Sequence, residues 1–237
     1  MAECPPPRPA TRRPTGRHSS MIDINESQLL VEGAAAMGIT LEPQVSSTLL
    51  RLVDELEAAN AQFNLTAIRD RPGMLRKHVL DSLSLQPYLR GTRLADVGTG
   101  AGFPGLPLAI LNPDRHFSLI EATGKKARFV IQTAERLGCN NALVVHSRAE
   151  TYRPLAQFDT VMARALSSLA DFVGYAGHLV APQGRLLAMK GKRPDAEISA
   201  LPKSFRVVAV HRLQLPGLDD ERHLVEMIAA GTKSGKT

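Results

Sequence analysis

The 237-residue sequence predicts an α/β fold in which a helical lead-in precedes a mostly parallel sheet. Three observations carry this reading. From Gly91 onward, short apolar runs alternate with segments of helical spacing. Those runs are apolar on consecutive residues, as strands covered on both faces must be. Before Gly91, three stretches have helical periodicity and no strand pattern interrupts them. The domain that follows the lead-in is therefore Rossmann-like.

The lead-in spans residues 21–90. "NESQLLVEGAAAMG" offers a polar cap at Asn25 and a stopping glycine at Gly38. "EPQVSSTLLRLVDELEAAN" places Pro43 at a helix start and gathers Val45, Leu49, Leu52, Val53 and Leu56 on one face. "RPGMLRKHVLDSLSLQPYL" repeats the device with Pro72, predicting burial of Leu75, Val79, Leu80 and Leu83. The sheet domain, residues 91–231, then reads strand "RLADVG", helix "PGLPLAILN", strand "HFSLIEA", helix "GKKARFVIQTAERLG", strands "ALVVHS" and "FDTVMARA", helix "SLADFVGYAGHLV" and strand "GRLLAMKG". "FRVVAVHRLQL" and "RHLVEMIAA", separated by the turn-rich "PGLDDE", form an antiparallel hairpin at one edge.

Residues 1–20 are rich in proline and arginine and have almost nothing to bury, so a disordered tail is expected there, and another at 232–237. The first tail lacks the apolar region of a secretory signal, and no apolar run approaches the roughly 20 residues of a membrane span. Cys4 and Cys139 make neither a disulfide framework nor a metal pattern, and no metal site is expected. The reading is a cytoplasmic chain, a monomer, without membrane contact. Its net charge of +6 favours an anionic partner such as nucleic acid.

The chemistry concentrates in "LADVGTGAGFPGLPLA", residues 94–109, the loop after the first strand, where open parallel sheets bind their ligands. A phosphate loop would need a lysine after its glycines, and none follows. The closing "GTKSGKT" resembles such a loop, but it is one residue short and no helix follows it. A dinucleotide fingerprint needs a small residue where Phe103 stands. The spacing G-x-G-x-G, with Asp96 two residues ahead, suits S-adenosylmethionine. Gly98, Gly100 and Gly102 clear the backbone for its methionine portion, and Asp96 is placed to accept from its amino group. Glu121 ends the second strand about 20 residues on, where an acid accepts from ribose hydroxyls.

Beyond this loop, "NLTAIRD", "HVLDSL", "GKKARF", "SRAE", "ARALSSL", "MKG" and "ERHL" occur in order with it. Together they resemble the bacterial 16S rRNA guanine-N7 methyltransferase family, also called glucose-inhibited division protein B, from about Asp23 to Ala230. The resemblance implies a seven-stranded methyltransferase fold, S-adenosylmethionine as donor, and a guanine in the decoding-region loop of small-subunit rRNA as acceptor. It places cofactor contacts at Gly98, Phe103, Ala149, Glu150 and Arg164. The chain departs from the family in lacking tryptophan and in carrying Glu121 where aspartate is common.

N7 of guanine carries a free lone pair, so its methylation needs alignment rather than a general base. The absence of a nucleophile motif fits that chemistry. For the target side the candidates are Asn64, which can instead cap a helix, His78, which can instead be a structural histidine, and Arg164, whose structural alternative is an ion pair, with Glu150 the expected partner. Arg69, Arg71, Arg76, Lys77, Lys125, Lys126, Arg128, Lys190, Lys192 and Arg193 are candidates for a phosphate-holding rim, with Phe63, Tyr88 and Phe103 as aromatic neighbours. Two other classes remain at this point: a non-catalytic RNA-binding assembly factor, and a nicotinamide-dependent oxidoreductase that Phe103 disfavours.

Overall fold

A computed structural model describes residues 19–165 and 167–231, with side chains from residue 26 onward. The two tails, apart from Ser19 and Ser20, lie outside the described residues, and Cys4 and the tail arginines with them. The chain opens with α1 (Ser19–Ala36) and α2 (Pro43–Phe63). Asn25 lies inside α1 rather than at its cap, because Ser19–Ile24 holds no proline or glycine to stop the helix earlier. Gly38, with φ +75°, follows the helix end as expected. On α2, Leu49, Leu52, Val53 and Leu56 are fully buried. Burial of such a side chain is worth about 1.5–3 kcal/mol.

The third predicted helix is a composite. It begins as α3 (Arg71–Met74), capped by Asp70, whose side chain accepts from the backbone N–H of Gly73. It widens into a π-helical stretch over Leu75–Leu80 and closes as α4 (Asp81–Leu83). Leu75, Val79, Leu80 and Leu83 are buried as their spacing requires. The widening itself has no apolar signature.

The sheet has seven strands: β1 (Arg93–Val97), β2 (His116–Glu121), β3 (Ala142–His146), β4 (Phe158–Ala163), β5 (Val180–Lys190), β6 (Phe205–Arg212) and β7 (His223–Ala229). Their order is β3-β2-β1-β4-β5-β7-β6. The first five are parallel, and β7 runs antiparallel between β5 and β6. The predicted terminal hairpin is therefore present at the edge. The helices between strands are α5 (Gly105–Leu111), α6 (Gly124–Leu137), α7 (Leu169–Ala176) and the unforeseen short α8 (Asp195–Ser199).

Successive residues of β1 serve opposite faces. Leu94 joins an apolar cluster with residues of α1, α2, α5 and α6, so the helical lead-in shares its core with the sheet. Ala95 and Val97 join a second cluster with Leu169, Phe172 and Val173 of α7. Among the described residues, no helix is long and apolar enough to cross a membrane. Strand order reverses between β1 and β4, and their carboxyl ends open the crevice where such sheets bind ligands.

Candidate functional site

The loop after β1 folds into a tight turn held by its own strand and the next. The N–H groups of Gly98 and Thr99 donate to the carbonyl of Ile120, at 2.8 and 3.2 Å. Asp96 is fully buried; its Oδ2 accepts from Thr99 Oγ1 at 2.6 Å and from the N–H of Gly105 at 2.8 Å. Burial pushes the Asp96 carboxyl up to about 6, against the opposing pull of those two bonds. Through Oδ2 the carboxylate fastens the loop from behind. Its Oδ1 has no hydrogen-bond partner among the described residues.

The glycines divide into two kinds. Gly98 and Gly100 have φ +69° and +62°, which favours glycine, and each faces open space. A Cβ on Gly98 would meet nothing within 4 Å, and one on Gly100 only a carbonyl at 3.9 Å. Gly102 and Gly105 are glycines for packing. A Cβ on Gly102 would lie 2.5 Å from Leu106, and one on Gly105 would lie 2.2 Å from Leu119. The expectation that Gly102 clears room for a ligand is therefore corrected: the room it clears is for the helix behind it.

Glu121, 6% exposed at the end of β2, closes the far side. Its Oε2 accepts from the N–H of Gly100 at 2.9 Å and its Oε1 from that of Thr123 at 2.7 Å. Each oxygen keeps a further lone pair for a hydroxyl donor. Ala149, buried, and Glu150, exposed, stand in the turn after β3 rather than on the strand. An open glycine turn, a buried acid with an unpartnered oxygen and a ribose-type acid fit S-adenosylmethionine. Gly98, Gly100 and Glu121 are the residues that would hold it.

A second cluster faces this loop from the lead-in. His78, on the π-helical stretch, stacks on Phe103 with ring centroids 5.0 Å apart. The Arg164 guanidinium, just past β4, lies 5.8 Å from the same ring centroid. It donates to the carbonyl of Lys77 at 3.1 Å and reaches His78 Nδ1 at 3.4 Å. Because arginine can only donate, Nδ1 accepts, and the Nε2–H donates to Thr66 Oγ1 at 2.8 Å. Burial and the nearby Arg164 lower the His78 imidazole to about 4, so it is neutral at physiological pH. Ala165, the next residue, holds φ +55°, a conformation that costs a non-glycine residue energy.

The ion-pair partner of Arg164 is Asp81 at 3.4 Å, not the expected Glu150. Asp81 is 4% exposed and also faces Arg222 at 3.3 Å, ahead of β7. Burial raises its carboxyl, and the two guanidiniums oppose that shift. Sequence reasoning missed Asp81, although "HVLDSL" contains it, because its two partners are remote along the chain. His78, Phe103 and Arg164 thus come together. Asn64 does not join them. It is the left-handed C-cap of α2, φ +50°, and its Oδ1 accepts from Arg69 at 2.9 Å.

Four of the ten cations expected at the basic rim form internal ion pairs among the described residues. Arg71 binds Glu26, Asp54 and Glu57, Lys77 binds Asp220, Lys190 binds Glu197, and Arg193 binds Asp195.

The neutral His78 makes the first prediction. Its folded-state value lies below the ordinary 6.5, so its contribution to stability is present above pH 6.5 and is lost as pH falls toward 4. Asp96 and Asp81, with raised values, push the other way, so the comparison must be a difference. Between pH 7 and pH 4, the unfolding free energy of the wild type relative to His78→Gln should fall by on the order of 3 kcal/mol. Urea unfolding at both pH values checks it, and a pH-independent difference would mean that His78 takes up its proton in the fold.

Comparison with known proteins finds relatives along most of the chain. The family described as rRNA small subunit methyltransferase G (GidB) matches residues 45–225. Ribosomal RNA small subunit methyltransferase G of Saccharophagus degradans is 44% identical over 207 residues, covering 87% of this chain and 93% of that protein. The protein of the same name from Xanthomonas campestris pv. campestris is 48% identical, covering 82% and 93%. Among solved structures, a glycopeptide N-methyltransferase, MtfA, in complex with S-adenosyl-L-homocysteine, has a TM-score of 0.56 at 10% identity, covering 64% of this chain and 87% of that one. A SAM-dependent methyltransferase from Aquifex aeolicus has a TM-score of 0.53 at 20% identity, covering 68% and 95%. The structural likenesses show a shared fold; the family match and the close relatives show that the chain belongs to the rRNA small subunit methyltransferase G family.

Proposed function

We propose that this chain transfers a methyl group from S-adenosylmethionine to N7 of a guanine in the decoding-region loop of 16S rRNA, and that it does so as a cytoplasmic monomer. The observation that carries the reading is the open-faced turn at Gly98 and Gly100 backed by Glu121, in a chain whose relatives are named ribosomal RNA small subunit methyltransferase G. When bound, S-adenosylmethionine supplies an electrophilic sulfonium methyl. The protein's task is to align the guanine with it, and such positioning can lower a barrier by roughly 7–11 kcal/mol.

His78, Phe103 and Arg164 form the positioning group beside the loop. His78 is neutral and has both ring nitrogens engaged, so it holds Phe103 and Arg164 in place and takes no proton from the base. Arg164 is the long cation at the switch point. A guanidinium that bound O6 and N7 together would occupy the reacting atom, so Arg164 donates to O6 alone. Asp81 fixes it from behind.

The test is to incubate the protein and labelled S-adenosylmethionine with unmodified 16S rRNA and, separately, with small subunits, and then map the label. Label at N7 of one decoding-region guanine is expected. No incorporation into either substrate would favour the non-catalytic assembly factor, and label at another base or atom would overturn the acceptor.

A further inference from the structure

A groove of about 640 Å³ runs between α2 and α6, outside the loop and cluster described above. Its floor is apolar, from Ala58, Ala59 and Phe129. Phe63, the last residue of α2, stands at its mouth 43% exposed, with the Lys125 ammonium 4.3 Å from the ring centroid. The ring thus reaches solvent with a cation held against it by an attraction of roughly 0.5–1 kcal/mol, an aromatic surface and a positive charge side by side.

The charges are one-sided. Glu55 is the acid of the groove, and it is neutralised by Arg136 at 2.5 Å. Lys125 and Arg128 remain on the exposed side of α6 without an ion pair among the described residues, unlike Arg71, Lys77, Lys190 and Arg193. Position adds a separate argument. Helix α6 starts at Gly124, directly after Glu121 and its partner Thr123, and Asn64 leads from Phe63 to the Thr66 that holds His78. The groove therefore opens at the edge of the candidate site.

We infer that the α2–α6 groove holds a single-stranded segment of the substrate RNA beside the target nucleotide, with Phe63 stacking on a base and Lys125 and Arg128 on phosphates. This inference rests on the proposed rRNA substrate. An aromatic platform flanked by cations binds single strands because every base has a π-face and every linkage an anion. A protein partner with an apolar face alone would match the floor but would leave Lys125 and Arg128 without an anion, whereas a single strand supplies a base for Phe63 and phosphates for both cations.

The test measures binding of the full chain to an unmodified 16S rRNA transcript and to small subunits at several salt concentrations. Lys125→Ala/Arg128→Ala should weaken transcript binding roughly 10-fold and make the slope of log affinity against log salt shallower by about 1.4, two phosphate contacts on a single strand. Phe63→Leu keeps apolar bulk but removes the ring, and should weaken binding about 5-fold or more with the slope unchanged. S-adenosylmethionine affinity equal to the parent's confirms that each variant is folded. Parental affinity and slope in the double variant would overturn the inference. So would a loss confined to small subunits, which would assign the groove to a ribosomal protein. Methyl transfer by the unaltered chain is scored separately: a parent that binds the transcript but labels neither it nor small subunits refutes the proposed activity and leaves the groove result readable.

Discussion

Gly98→Asp is expected to abolish binding of S-adenosylmethionine while the chain stays folded. In isothermal titration calorimetry, affinity should fall by about 100-fold or more. Gly98 has φ +69° and open space before it: an added Cβ meets nothing within 4 Å, and the carboxylate beyond it is directed into the room proposed for the ligand. The backbone strain of a left-handed non-glycine residue is about 1–3 kcal/mol. For a chain of this size, at roughly 2–4 °C per kcal/mol, that lowers the melting temperature by about 2–12 °C. Gly105→Ala should show the opposite pattern. Its Cβ would lie 2.2 Å from Leu119 Cδ2 and 2.9 Å from Asp96 Oδ2, so stability is what it disturbs first. If Gly98→Asp bound the donor as the parent does, the cofactor would not sit on this turn.

Asp81→Asn should be the most damaging single change at the target side. The carboxylate is 4% exposed and stands between Arg164 and Arg222, each about a quarter exposed. Removing one partner of a buried pair costs about 3–5 kcal/mol because the other charge is stranded. Both arginines here retain some solvent, so a loss of about 2–3 kcal/mol is expected in urea unfolding. Methyl transfer to rRNA should fall with it, through kcat more than through donor affinity, since Arg164 rather than the glycine turn loses its anchor. A double-mutant cycle with Arg164→Gln separates the two effects: a coupling energy near 1–3 kcal/mol is expected for contacting residues. Additive losses would show that Asp81 does not hold Arg164.

The parts of this site differ in how plainly the sequence declares them. The order of strands and helices was legible because a strand covered on both faces must be apolar on every residue, and "LADV" and "TVMA" are nearly so. The glycine turn and Glu121 were legible for a related reason: one strand end supplies the whole loop and the next supplies its acid. The partition of the glycines was not, since Gly98 and Gly102 differ only in whether Leu106 stands behind them. Nor was the Asp81 clamp, which joins residues separated by 83 positions at its Arg164 bond. The π-helical widening that carries His78 keeps the same apolar spacing as an ordinary helix, so "LRKHVL" gives no local warning of it. Basic residues were informative only in part: charge composition counts cations but cannot show which have already met an acid.

The position of β7 has a consequence for the order in which the chain becomes competent. This strand is the last of the seven in chain order, yet it inserts between β5 and β6 and brings Arg222 to Asp81 immediately before it. A nascent chain whose synthesis has passed β5 but not β7 can already form the glycine turn and present Glu121. Its β5 edge is still unpaired, open to pairing with a neighbouring chain, and Asp81 has one guanidinium instead of two. The glycine turn can thus form before β7 is present, whereas Asp81 gains its second guanidinium, that of Arg222, only with β7, so on this topology the two parts of the candidate site are completed in sequence.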